Sequence, residues 1–195
     1  MAPNIDHQPS EKRFATPVEL QWLNLVNKLE KASLTDKLTG LFNANYWHEQ
    51  LPKLDKATHL SYIITVLDLD NLKPVNDKKG HQAGNQLILD TVDIIKNSFR
   101  PEDIIIRIGG DEFVVILPQD TDKLQNEYIN NNITNRLLAN ITTFNETHPD
   151  SPPVSLSFGS QLSLPPHNLT ETFKQADQKM YQMKEIHHSQ NDSKS

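Results

Sequence analysis

The sequence predicts an α+β fold on a central, mainly antiparallel sheet, and three observations carry that expectation. First, SYIITVLDLD at 61–70 is an apolar, β-branched run ending in acids, which reads as a buried strand. Second, the runs DIIIRI and EFVVILP flank the turn GGDE, the pattern of a hairpin. Third, an amphipathic stretch at 83–99 and a polar one at 122–146 separate these strands from one another and from VSLSFGSQLSL at 154–164. The order βαββαβ is that of a ferredoxin-like sheet with helices on one face, and further helices before and after this core surround it.

The elements follow in order. Residues 1–15 hold prolines and charges without apolar periodicity, so a disordered tail is expected there. Thr16-Pro17 supplies a cap and a first helical residue for a helix over 16–33. Its apolar positions Val18, Trp22, Leu25 and Leu29 draw one stripe, close to a coiled-coil seam. Such a helix either packs on its own domain or dimerises. SLTDKLTGLFNANYWHEQLPKL reads as a polar turn region, then a helix from near Asn43. NLKPVNDKKGHQAGN at 71–85 reads as a loop. In the helix that follows, Leu87, Ile88, Val92, Ile95 and Phe99 share a face. The asparagine-rich segment 122–146 is a long polar helix. Leu169–Ile186 forms the last helix, and 187–195 frays into a second tail. No repeat appears, and 34–186 is expected to be one domain.

The 195 residues suffice for one domain with a core. A net charge of −6 argues against nucleic acid or an anionic membrane surface as partners. The chain has no cysteine, which excludes disulfides and thiolate metal sites and fits a reducing compartment. No apolar run is long enough to cross a bilayer, and MAPNIDHQPSEKR lacks a signal-peptide core. A soluble, cytoplasmic protein is expected.

The chemistry gathers at the acids. Asp68 and Asp70 share one face of their strand while Leu69 points to the other. In a split βαβ arrangement that strand end can lie beside Asp111 and Glu112. Carboxylates brought together repel, and burial makes this worse. A hard divalent cation resolves the conflict: Mg²⁺ takes one or two protein carboxylates and completes its shell with water and substrate phosphate. This is the arrangement of two-metal phosphoryl transfer. Alone, each acidic motif reads as no more than a turn; together, on these elements, they point to a site. Lys73 could meet a phosphate or be a solvated charge, as Lys78 could. Asn76 could be a turn residue or a base reader.

With these residues in view, the chain resembles the GGDEF family, the catalytic domains of diguanylate cyclases. The resemblance runs over roughly 34–186 and rests on DKLTGLFN, DLDNLKPVNDKKGHQAGN, RIGGDEF, VSLSFG and ADQKMYQMK in order. It implies a palm-like fold related to nucleotide cyclases and polymerases. It also implies condensation of two GTP into cyclic di-GMP and two pyrophosphates, across a homodimer in which each 3′-hydroxyl attacks the α-phosphate held by the other subunit. Two Mg²⁺ or Mn²⁺ ions per active site are implied. By position, Asp68, the carbonyl of Leu69, Asp111 and Glu112 are the metal residues, and Glu112, Asp111 and Asp68 the catalytic acids. Leu72, Lys73, Asn76, Asn85, Gly109, Gly110 and Lys184 fall at substrate-binding positions. Arg100 and Asp103, in RPED five residues before Gly109, match an inhibitory product site, with Arg107 as a possible addition; an ion pair or turn is the plainer reading. The N-terminal helix would connect to a sensor or partner protein.

Three departures stand out. The family usually has aspartate where Asn85 stands; asparagine offers one acceptor and one donor group, so it suits guanine less and adenine more. His188 takes the position of a phosphate-contacting arginine, and Ala44 stands where arginine is common after LTGLxN. None removes a metal ligand. An active cyclase is therefore the first expectation. The alternatives are a weak or inactive module that binds nucleotide or cyclic di-GMP and signals, and a cyclase with relaxed base choice.

Overall fold

The computed structural model describes residues 16–120 and 126–192. The tail expected at 1–15 lies outside them, as do 193–195. The chain divides into two units, 1–33 and 34–195.

In the first unit, helix α1 (Pro17–Leu34) begins in a capping box. The Glu19 N–H donates to Thr16 Oγ1 at 3.3 Å, and the Thr16 N–H donates to Glu19 Oε2 at 2.7 Å. Val18, Trp22, Leu25 and Leu29, the predicted stripe, are 45% to 64% exposed.

The second unit is a five-stranded sheet in the order β1-β3-β4-β2-β5. The strands are β1 (Phe42–Asn43), β2 (Leu60–Leu69), β3 (Ile104–Arg107), β4 (Glu112–Asp120) and β5 (Leu156–Ser163). Only the β1–β3 pair is parallel. The helices are α2 (Ala44–Leu54), α3 (Leu72–Lys79), α4 (His81–Ser98), α5 (Asn126–Thr147) and α6 (Leu169–Asp192). Strands β2 to β5 with their crossovers are the expected βαββαβ core.

Helices cover both faces of this sheet: the crossovers α4 and α5 on one, and α2 and α6, from outside the βαββαβ core, on the other. Strand β2 is buried along its length apart from Leu60, because both of its sides carry apolar chains. Ile63, Leu67 and Leu69 join Leu87, Ile88, Val92 and Ile95 of α4 and Ile133 and Leu137 of α5. Tyr62, Ile64 and Val66 join Trp47 of α2 and Leu169, Ala176 and Met180 of α6. An unbroken apolar strand, unlike an alternating one, needs cover on each side.

Two local features also differ from the sequence reading. Residues 72–79 form α3 rather than a loop. Pro74 sits in its first turn, where a missing N–H breaks nothing, and Gly80 at φ 83° separates α3 from α4. Helix α6 runs past Ile186 to Asp192, since no Gly or Pro stops it there. The short β1 is too brief to leave a pattern.

Helix α6 lies tightly on β5. A Cβ on Gly159 would strike the Ala176 carbonyl oxygen and the Met180 backbone nitrogen, so only glycine admits this approach. Lys179 Nζ adds bonds of 2.9 Å to the Ser160 carbonyl and to Gln161 Oε1.

Candidate active site

Register brings the two acidic segments together. In the β2–β4 ladder Asp68 is paired with Glu112 and Leu67 with Phe113. Paired residues project to the same face, here the face beneath α6. The Leu69 N–H donates to the Asp111 carbonyl at 2.9 Å, stitching the turn to the end of β2. The turn closes on itself, with the Ile108 and Gly109 N–H groups donating to the Glu112 carbonyl at 3.0 and 3.3 Å. A Cβ on Gly109 would collide with Glu112 Oε2, whereas Gly110 faces open space.

Asp68 is 4% exposed, and Lys184 Nζ of α6 lies 2.7 Å from its Oδ1. Even so, burial pushes the Asp68 carboxyl above its ordinary value; Lys184 offsets this only in part, while Asp111 and Asp70 add to the rise. Glu112 is pushed up too, by the partial burial of its carboxyl and then by Asp111, Asp68 and Asp177. Burial works against the charge of Lys184, but Asp68, Asp111 and Asp70 outweigh it and hold the ammonium above its usual range. Several acids thus share one lysine, and negative charge is under-compensated. Among the described residues no three His, Cys, Asp or Glu side chains are already gathered as a metal site. Mg²⁺ does not require such a cage, because it keeps waters and substrate phosphate in its shell. The excess of oxygen donors around Asp68, with Asp111, Glu112 and Leu69 adjoining, fits a hard divalent cation.

Asp70 shares the face of Asp68 but is already occupied. It is 6% exposed and accepts from Ser155 Oγ at 2.7 Å, Ser157 Oγ at 2.8 Å and His187 Nδ1 at 2.9 Å. Leu72 opens α3 and is packed against the core; Lys73 beside it is exposed. Asn76 Oδ1 is buried without a hydrogen-bond partner, over Gly84, where a Cβ would meet its amide. Asn85 follows on α4, exposed to solvent. Ala44 is the first residue of α2, which Asn43 caps. The side chain of His188 lies outside the described residues.

Arg100 and Asp103 form a closed turn. The Arg100 N–H donates to Asp103 Oδ2 at 2.8 Å, and the Asp103 N–H donates to the Arg100 carbonyl at 3.0 Å. Asp103 is 8% exposed, its Oδ1 has no partner, and burial raises its pKa against the pull of Arg100 and, more weakly, Arg136. A cavity of about 430 Å³ opens beside the turn, lined by Arg100, Gln119, Asn132, Asn135 and Arg136 over apolar Leu117 and Ile133. Arg107 is held elsewhere, at the far end of β3. It donates to Asp36 Oδ1 at 2.9 Å and to the Gly110 carbonyl at 2.6 Å. Asp36 also accepts from the Thr39 N–H and hydroxyl at 2.9 and 2.6 Å, so DKLTGLFN braces the GGDE turn. Burial alone would raise the Asp36 carboxyl, but the bonds from Thr39 and Arg107 win and hold it below its ordinary value.

Four residues escaped the sequence reading. Arg136 is the single arginine of α5, set between the buried Ile133 and Leu137, and that isolation was a usable signal. Asp36 and Ser157 lie within DKLTGLFN and VSLSFG, but their bonds to Arg107 and Asp70, like that of His187, join positions remote in the chain.

A sheet with this order, carrying paired acids beside a GGDE turn, is the architecture of a nucleotide-cyclase palm. The chain matches the family model described as "Diguanylate cyclase, GGDEF domain" over residues 33–190, and it belongs to the GGDEF family. It is 34% identical over 156 residues to "Probable diguanylate cyclase DgcT" of Escherichia coli K12, covering 77% of this chain and 33% of that protein. It is 32% identical over 160 residues to "Diguanylate cyclase DgcS" of Shewanella oneidensis, covering 80% and 51%. The chain thus spans a third to a half of these curated relatives. Among solved structures, the coiled coil and GGDEF domain of DgcB from Caulobacter crescentus, in complex with c-di-GMP, shares the fold with a TM-score of 0.72 at 20% identity, over 86% of this chain and 90% of that one. A microbial GGDEF domain described with cyclic di-GMP is 28% identical at a TM-score of 0.63, over 80% and 93%.

Proposed function

We propose that this chain is a diguanylate cyclase domain, joining two GTP into cyclic di-GMP with release of two pyrophosphates. The observation that carries the reading is the pairing of Asp68 with Glu112 in register, under one lysine that does not balance them. Asp68, Asp111, Glu112 and the Leu69 carbonyl hold Mg²⁺ or Mn²⁺, which when bound polarises phosphate oxygens and lowers the pKa of an attacking hydroxyl. Lys184 and Lys73 contact the triphosphate. Gly110 leaves the turn open to the nucleotide. Asn76 and Asn85 face the base. In each half-reaction a 3′-oxygen bonds to the α-phosphorus of the second GTP, pyrophosphate leaves, and the hydroxyl proton passes to an acid of the site. Two domains must meet for this, so the active form is a homodimer. Purified protein with GTP and Mg²⁺ should yield cyclic di-GMP and pyrophosphate in a 1:2 ratio by stoichiometry; release of linear products or none at all counts against a cyclase.

The cavity at Arg100 and Asp103 is the site where product inhibits. Guanidinium groups suit guanine acceptors and phosphates, and a carboxylate suits guanine donors; Arg136 joins the set in place of Arg107. The Arg136→Ala variant should keep its initial rate and need roughly ten-fold more cyclic di-GMP for half inhibition, as for one lost charged hydrogen bond. An unchanged inhibition curve would remove Arg136 from the site.

A second reading concerns the base. Asn76 Oδ1 is buried without a partner, and Asn85 carries an amide where a carboxylate would match guanine. Two amides and no acid make adenine acceptable. A mixture of GTP and ATP should then give some mixed dinucleotide; pure cyclic di-GMP at equal concentrations of both excludes it.

A further inference from the structure

Helix α6 meets the acidic end of β2 at two points. Lys184 Nζ lies 2.7 Å from Asp68 Oδ1. One turn later, His187 Nδ1 lies 2.9 Å from Asp70 Oδ2 and 3.1 Å from Ser157 Oγ. The Asp70 carboxylate is an acceptor, so Nδ1 carries the proton. Ser155 and Ser157 donate to Asp70 as well, leaving one lone pair of Oδ1, and its N–H donates to the Ser155 carbonyl at 2.9 Å. Asp70 is therefore a largely occupied, buried anchor.

The two contacts differ in stiffness. Lysine carries its charge on a flexible four-carbon stem, and alone it would tolerate many placements of the helix. The histidine ring is short and turns on two torsions, and its anchor is buried. Residues i and i+2 of a strand are thus gripped by residues i and i+3 of a helix, on neighbouring positions of the same helical face.

We propose that His187 is a positioning residue for triphosphate binding: by tying α6 to Asp70 it holds the Lys184 ammonium at the mouth of the acidic site. The inference rests on the reading of Lys184 as a phosphate contact. His187 acts through the backbone of α6 and touches no substrate.

The test uses the full chain with His187→Ala and His187→Asn. Asparagine carries its amide nitrogen as many bonds from Cα as Nδ1 and can restore the donor. Binding of Mg²⁺-inorganic triphosphate is read by calorimetry, and KM and kcat for GTP by product formation. His187→Ala should weaken triphosphate binding and raise KM by roughly 3- to 10-fold, the size of one lost bond to a charged group, with kcat nearly unchanged. His187→Asn should recover most of this. In a Lys184→Met background, His187→Ala should add nothing. Equal binding by wild type and the alanine variant, failure of asparagine to rescue, or a full additive loss in the Lys184→Met background each overturns the role. If the alanine variant melts below assay temperature, Asn is compared with Gln, whose amide sits one bond further out; equal affinities then overturn it. The calorimetric arm needs no turnover. Triphosphate binding with these dependences but no cyclic product would overturn the cyclase and leave the positioning role standing. Cyclic product with an unaffected His187→Ala would overturn the positioning role alone.

Discussion

Glu112→Gln yields a protein that melts no lower than the parent at neutral pH and makes roughly a hundred-fold or more less cyclic di-GMP. The two halves of this result have one cause. Glu112 sits across from Asp68, and its carboxyl is held above the ordinary range by its surroundings, burial first. For an acid raised on folding, ionisation counts against the folded state. That penalty is absent below the unfolded value and sets in as pH rises through the folded one. The neutral amide avoids it, so the melting temperature should hold or rise at pH 7 and the gain should vanish in acid. Yet the amide supplies no anionic oxygen to a cation and takes no proton. Turnover should fall on the order of 10²- to 10⁴-fold, the range for losing an acid that serves the reacting centre. Cyclic product at the parental rate, assayed by chromatography with Mg²⁺ and GTP, would contradict the assignment. A variant that fails to melt cooperatively would contradict the electrostatic account instead.

Gly159→Ala is expected to be the most damaging single methyl in the domain. The added carbon meets the Ala176 carbonyl, the Met180 nitrogen and, at 2.6 Å, Lys179 Cβ. Two of these are backbone atoms and cannot rotate away, so α6 must lift from β5. Overpacking of this kind costs about 1–3 kcal/mol, seen as a drop of several degrees in the melting temperature. Lys184 and His187 ride on the same helix, so triphosphate affinity should fall with it. Gly110→Ala is the matching control: nothing lies within 4 Å of its Cβ, and its melting temperature should not move. If both variants melt alike, the close approach of helix and strand is not what holds α6 down.

Much of this was legible in the sequence, for reasons that differ by residue. The apolar run before Asp68 and the hairpin at Gly109–Gly110 are local patterns, and a two-residue period fixes which side chains share a face. Once βαββαβ is recognised, the meeting of Asp68 with Glu112 follows from register. The stripe through Leu87, Ile88, Val92, Ile95 and Phe99 was local too, and all five are buried. Helix α3 was misread because its residues are polar and Pro74 sits in its first turn, where proline is tolerated. The cover on the second face was legible only from the helices outside the βαββαβ core, because a buried strand shows only that it is buried. Arg107 was only a possible addition to the Arg100–Asp103 pair; the structure shows its guanidinium bonded to Asp36, 71 positions earlier. The hold of His187 on Asp70 spans 117 positions, and no periodicity encodes such a pairing.

The brace from Asp36 through Arg107 to Gly110 separates two kinds of acid failure. In the metal-free domain Asp68 and Glu112 take up protons early on acidification, because both are raised. Asp36 is lowered, so its contribution persists above its unfolded value and is lost only as pH falls through the folded one. Between those limits the scaffold of the turn stays clamped while its acids are neutralised. Mild acid should therefore weaken Mg²⁺ binding without scrambling the domain, and neutralisation should restore that binding without a refolding lag.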